Sequence, residues 1–167
     1  MSDKILKQRS DIPKEYKWNI EAMYPDESKW EKDVQESIDR AAAFGKFQGK
    51  LTESSSTLLE ALRERDSIWE KLEHAFVYAA MKKDEDNRQD KYQAMDDKCG
   101  SAIAKVSAAM SFFTPELLEA SEETILGYIE EESGLKQYEF LLKAALKEKE
   151  HILTAAEENI IDRKSVV

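Results

Sequence analysis

The chain has 167 residues, 41% of them hydrophobic and 36% charged, with 5 glycines and 3 prolines. A chain of this length can bury roughly 70% of the surface it exposes when unfolded, and so few breakers favour long helices over strands. Lysine and arginine number 25 against 35 aspartate and glutamate, and the resulting charge of −10 repels phosphate backbones and anionic lipid, excluding nucleic acid and membrane as partners.

The one cysteine, Cys99, cannot close an internal disulfide, which fits a reducing compartment. The start, MSDKILKQRSDIPKEYKW, is too polar for a secretory signal, and no apolar run approaches the ~18 residues of a membrane span. A soluble, cytoplasmic protein is expected.

Residues 1–25 read as an extended arm, because SDIP and MYPD each set a residue before proline, where helix is disfavoured. Tyr16, Trp18, Ile20, Met23 and Tyr24 give this arm apolar surface, either to clamp it against a helical body or to cradle an aromatic ligand. Asp26 is placed to cap a helix whose apolar stripe is Trp30, Val34, Ile38 (or Ser37), Ala41 and Ala42, with Gly45 and Gly49 loosening its end.

LTESSS then caps a longer helix, about 56–83, with Leu58, Leu62, Trp69, Leu72, Phe76 and Ala79 inward and only Arg65 interrupting. KKDEDNRQD is polar throughout and makes a break. Over about 87–113, Tyr92, Met95, Cys99, Ala102, Val106, Ala109 and Phe113 recur in steps of 3 and 4, the seam of antiparallel helices packed like a coiled coil. Each helix of this hairpin spans roughly 40 Å at 1.5 Å per residue. Small residues from Cys99 to Ala109 allow close approach on more than one face, so this helix is expected to be central. Cys99 lies on the seam and reads as a small core residue rather than a nucleophile, since no partner histidine is marked.

Thr114 as N-cap and Pro115 at the first position open TPELLEA, Ser121 caps EETILGYIEEE, and Gly134 ends it. The next helix aligns Leu135, Tyr138, Leu142 and Ala145 (or Leu146). The fold class is therefore all-α: a long helix hairpin within a multi-helix bundle. The domains are an arm over 1–25, a helical domain over 26–153, and over 154–167 the start of a helix that is cut short.

EKEHILTAAEE, residues 148–158, sets one of the 2 histidines among glutamates. A zinc-protease HExxH is absent, because Ile152 follows His151 and Ala75 follows His74. A di-iron bundle needs two Glu-x-x-His pairs; Glu148 and His151 supply one, but Lys71 stands three residues before His74. Thr154 and Glu157 match a capping box, so the stretch reads as a joint between a helix ending near Glu150 and another starting after Thr154. No GxGxxG, Walker loop or CxxC occurs, and KKDED lacks calcium-loop spacing. These residues mark no catalytic, cofactor or metal position.

RSDIPKEYKWNIEAMYPDESKWEKD resembles the opening of oligoendopeptidase F, in the thimet-oligopeptidase-like group of zinc metallopeptidases. YAAMKKDEDNRQDKYQAM, FFTPEL and YEFLLKAALKEKEHILTAAEENII resemble later segments of that family in the same order, so the resemblance covers essentially the whole chain. Asn19 departs from the pattern, where the family favours Asp. The resemblance implies the N-terminal helical domain of an enzyme several times longer, whose HExxH, later glutamate ligand and zinc lie in a catalytic domain this sequence does not contain. It implies a scaffold and channel-wall role beside that catalytic domain, short peptides as the parent's substrates, and no activity alone.

Ile160, Ile161, Val166 and Val167 follow without a stop signal, which reads as a truncated product or an engineered domain. The rival expectation is a free-standing interaction module that uses this apolar stripe to bind a partner or to form a homodimer.

Overall fold

The structure, a computed structural model, describes residues 9–149 of the 167. Every regular element among the described residues is helical, as the composition requires. The described residues divide into two compact units, 9–46 with 62–111 and 47–61 with 112–149.

In the first unit the N-terminal segment is not one extended run. It folds as three single-turn 3-10 helices, Arg9–Asp11, Lys14–Tyr16 and Ile20–Ala22, each too short to resist the flanking prolines and polar residues. Ile20 and Tyr24 are buried, but Tyr16 and Trp18, expected to lie against the body, are 78% and 57% exposed. Helix α1 (Glu27–Ala43) begins where the Asp26 carboxylate accepts a hydrogen bond from the Lys29 amide at 2.9 Å. It buries Trp30, Val34, Ser37 and Ala41. Ser37 rather than Ile38 takes the inward position, donating its hydroxyl to the Asp33 carbonyl at 2.9 Å, and Ala42 is exposed.

Helix α2 (Ser55–Glu85) is two residues longer at its C-terminus than the polar KKDED suggests, and at 31 residues it measures about 46 Å. Its inward face passes through Leu62, Ile68, Leu72, Ala75 and Ala79. Trp69 and Phe76, placed inward by sequence, sit at the rim, Phe76 37% exposed. A helix turns about 100° per residue, so a buried face read by side-chain size alone slips out of phase over several turns.

After a turn at Asp86–Gln89, helix α3 (Asp90–Ala109) buries Met95, Cys99, Ala102 and Val106, while Tyr92 and Ala109 are half-buried. Helix α3 packs against α1. The small residues on the opposite face, Gly100, Ser101, Ala104, Ser107 and Ala108, are exposed. Among the described residues α3 is therefore covered on one side, not surrounded.

The second unit holds residues 55–61 of α2 and three short helices, α4 (Phe113–Glu119), α5 (Glu122–Glu131) and α6 (Glu139–Lys149). Helix α4 starts before Thr114, with Phe112 at the N-cap position and no side-chain cap. Pro115 falls in its first turn, where a missing N–H breaks no bond. Ser121 caps α5 as its type predicts, accepting from the Thr124 amide at 3.1 Å. Helix α5 ends at Glu131 with Glu132 as its C-cap, not at Gly134; Gly134 lies inside a 3-10 segment, Ser133–Tyr138, and donates its amide to Glu132 at 3.0 Å. Ile125, Ile129, Leu135, Leu142 and Leu146 form the core beneath α6. The expected joint at 150–154, His151, the capping box of Thr154 and Glu157, and the stripe from Ile160 lie outside the described residues.

Candidate functional site

Beneath α2 the Tyr24 ring lies 4.9 Å from the His74 ring and 5.0 Å from that of Tyr78. The Tyr24 hydroxyl donates to Asp33 Oδ2 at 3.1 Å, and burial, with the Asp33 charge, drives its pKa up. Lys71 pairs with Glu36 at 2.6 Å and stands 3.9 Å from Asp33. Lys71 is thereby engaged by carboxylates of α1. Cys99 is fully buried, and burial pushes its thiol up to about 11.

No group of three or more histidine, cysteine, aspartate and glutamate side chains among the described residues is placed to hold a metal ion. The described residues do not fit a zinc site. Glu148 falls on α6 without a described side chain, and His151 lies beyond.

The polar surface that sequence reasoning missed is on the N-terminal segment. Arg9, Lys14, Lys17, Trp18, Asn19 and Glu21 line a hollow of about 410 Å³. A second hollow, of about 280 Å³, shares Arg9, Lys17 and Trp18 with it and adds Ile12, Tyr16, Asp84, Glu85 and Arg88. Glu85 is 7% exposed and meets the Arg9 guanidinium as a charge contact rather than an aligned hydrogen bond. Burial raises the Glu85 pKa against the pull of Arg9. Glu21 accepts from Lys82 at 2.8 Å, and that hydrogen bond lowers its pKa. Arg88 reaches Asp86 at 2.7 Å, which brings Asp86 down to about 2. Lys14 and Lys17 line the hollow, and the Lys17 charge also pulls on Glu85. The available signal was Lys-x-Tyr-Lys-Trp, cations interleaved with aromatics just before the first buried residue, Ile20.

The described helices and their order match those of known proteins. Oligopeptidase PepF of Bacillus subtilis is 31% identical over 97% of this chain, and Group B oligopeptidase PepB of Streptococcus agalactiae is 33% identical over 92%. Over nearly its whole length the chain is similar to oligoendopeptidase F proteins. The family model for oligopeptidase F matches residues 116–167. The crystal structure of oligoendopeptidase-F from Enterococcus faecium superposes with a TM-score of 0.69 at 28% identity, covering 81% of this chain and 27% of that one. A solved structure from Chlamydophila abortus shares the fold, with a TM-score of 0.78 at 24% identity over 96% of this chain. The chain spans about a quarter of the length of these curated relatives, 24% and 26%, and corresponds to the N-terminal helical part of the family. No helix among the described residues is long and apolar enough to cross a membrane.

Proposed function

We propose that this region is the scaffold and substrate-channel wall of a zinc metalloendopeptidase that hydrolyses short peptides, and that it has no peptidase activity alone. The observation that carries this is the coverage: 97% of this chain aligns with PepF, yet that accounts for 24% of PepF. HExxH occurs nowhere in the 167 residues, so the zinc and its ligands belong to the remainder of such an enzyme. In this reading residues 26–153 form the helical wall, the segment before it docks by its buried residues, and 154–167 lead toward the catalytic part. Cytoplasmic localisation follows from the cysteine usage and belongs to the same proposal.

The test is to assay the purified chain with a quenched fluorescent oligopeptide and to measure bound zinc. The expected result is no turnover and no stoichiometric zinc, with cleavage appearing when the remainder of the enzyme is joined to it or supplied in trans. Robust cleavage by the chain alone would refute the scaffold role.

Phe140, 87% exposed, and Leu141 on α6 favour a second reading, self-association through an apolar face. Light scattering at high concentration decides it: a dimer that Phe140→Glu converts to monomer supports this reading, and a monomer throughout counts against it.

A further inference from the structure

We propose that the segment from Lys14 to Asn19 binds the carboxyl-terminal end of short, extended peptides, with Lys14 and Lys17 on the carboxylate and Trp18 against the last side chain. The proposal rests on the peptidase reading for its substrate class and on local geometry for its site.

Three features a peptide end requires occur together. The main chain is extended at Lys17, with φ −109° and ψ 141°. Beyond it, the amide and carbonyl of Trp18 and the amide of Asn19 have no intramolecular hydrogen bond among the described residues. A peptide end can hydrogen-bond to these groups before the main chain turns at Asn19, φ −85° and ψ 64°. Lys14 and Lys17 supply two cations on the rim of the hollow; Glu21 is held by Lys82 and Glu85 by Arg9, with the Lys17 charge adding to the pull on Glu85. A charge-assisted hydrogen bond to a carboxylate is about twice as strong as a neutral one. Trp18, 57% exposed, offers a flat apolar face with an indole N–H at its edge.

The segment is also fixed before any ligand arrives. Ile20 and Tyr24 are each 1% exposed and anchor it from the C-terminal side. The Lys17 amide donates to the Lys14 carbonyl, and the Ala22 amide to the Asn19 carbonyl, each at 3.1 Å. Ordering entropy is thus spent in folding and not in binding. A polyanion is repelled by the charge of −10, whereas one carboxylate meets a locally positive hollow.

The experiment titrates the full 167-residue chain with Ala-Ala-Ala-Ala-Phe while following the Trp18 indole by NMR, assigned through Trp18→Phe. Saturable shifts are expected. Amidation of the peptide C-terminus should weaken binding about tenfold or more, as should Lys14→Ala with Lys17→Ala, changes at an exposed and a half-buried lysine whose circular dichroism should match the parent. Ala-Ala-Asp-Ala-Phe-amide distinguishes a side-chain carboxylate from the terminal one and is expected to bind like the plain amide. Absence of saturation at millimolar peptide, equal affinity for acid and amide, tight binding of the Asp-containing amide, or no effect of the lysine substitutions would each overturn the proposal. A chain that supports cleavage with the remainder of the enzyme but fails this titration refutes the binding site only. Binding without such support refutes the scaffold reading only.

Discussion

In the unit built from α1, most of α2 and α3, oppositely charged side chains on different helices face each other. Arg40 meets Glu64 at 2.9 Å, Lys71 meets Glu36 at 2.6 Å, Lys91 meets Glu27 at 2.7 Å, and Lys98 and Lys83 reach Glu31 and Asp96. In the unit of α4, α5 and α6 the long-range ties run instead from side chain to main chain. The Glu116 carboxylate accepts from the Gly49 amide at 2.8 Å and from the Leu51 amide at 2.6 Å, and the Tyr128 hydroxyl donates to the Thr52 carbonyl at 2.9 Å. Long helices satisfy their own main chain and leave their flanks free to carry charge. Short helices joined by turns expose orphan amides and carbonyls, which side chains must then meet.

If that contrast is correct, both units still take most of their stability from apolar burial, and a core deletion should exceed any polar change. Leu72, fully buried on α2, and Leu142, fully buried on α6, are the matched pair. Leu72→Ala and Leu142→Ala should each cost about 3 kcal/mol, from lost transfer energy plus the cavity left behind. Urea unfolding measures this; a cost below that of the polar changes would show that the core is not the main stabiliser.

The hook at Glu116 comes next. Glu116→Ala removes one acceptor from two amides, and because the Leu51 end is partly buried, water replaces it incompletely. A loss of about 1–2 kcal/mol is expected. Gln at the same position keeps one acceptor oxygen and should fall between the two. Gly49, at φ 76°, belongs to the same turn, and alanine there is strained whatever the space around it. A stability curve for Glu116→Ala that overlays the parent would mean the turn is held by Leu51 burial alone.

Long-period features were the legible ones. The seam Met95, Cys99, Ala102, Val106 could be read directly because small and medium residues at 3- and 4-residue steps leave one solution for the face. On α2 the face was misread at Trp69 and Phe76, since a large aromatic at the rim of a stripe scores as core when only size and spacing are weighed. The Asp26 and Ser121 caps were visible because their chemistry is local, three residues from their donors. Glu116 was not, because its partners are 65 and 67 residues away and nothing in ELLEA distinguishes it from a solvated glutamate. The Lys14–Asn19 hollow was missed for the same reason: its charge depends on the pairs Arg9–Glu85 and Glu21–Lys82, whose members are more than 60 residues apart in sequence.

The smallest effect expected separates charge pairing from burial within the first unit. Arg40 bonds Glu64 through two nitrogens, Nε at 3.0 Å and a terminal nitrogen at 2.9 Å, and also reaches Ser67 at 3.1 Å. Arg40→Lys keeps the charge but loses the fork, so it should cost less than about 1 kcal/mol and shrink further in 1 M salt. The hydrogen bond from Arg40 holds the Glu64 carboxyl below its ordinary 4.5. A depressed native pKa contributes stability that is present above the unfolded value and lost as pH falls through the native one. The stability difference between the parent and Glu64→Gln should therefore be flat above about pH 5 and disappear on further acidification, whereas Leu72→Ala should keep its full deficit across the same range. A Glu64→Gln difference that persisted unchanged into acid would assign the contact to packing of the arginine stem rather than to charge.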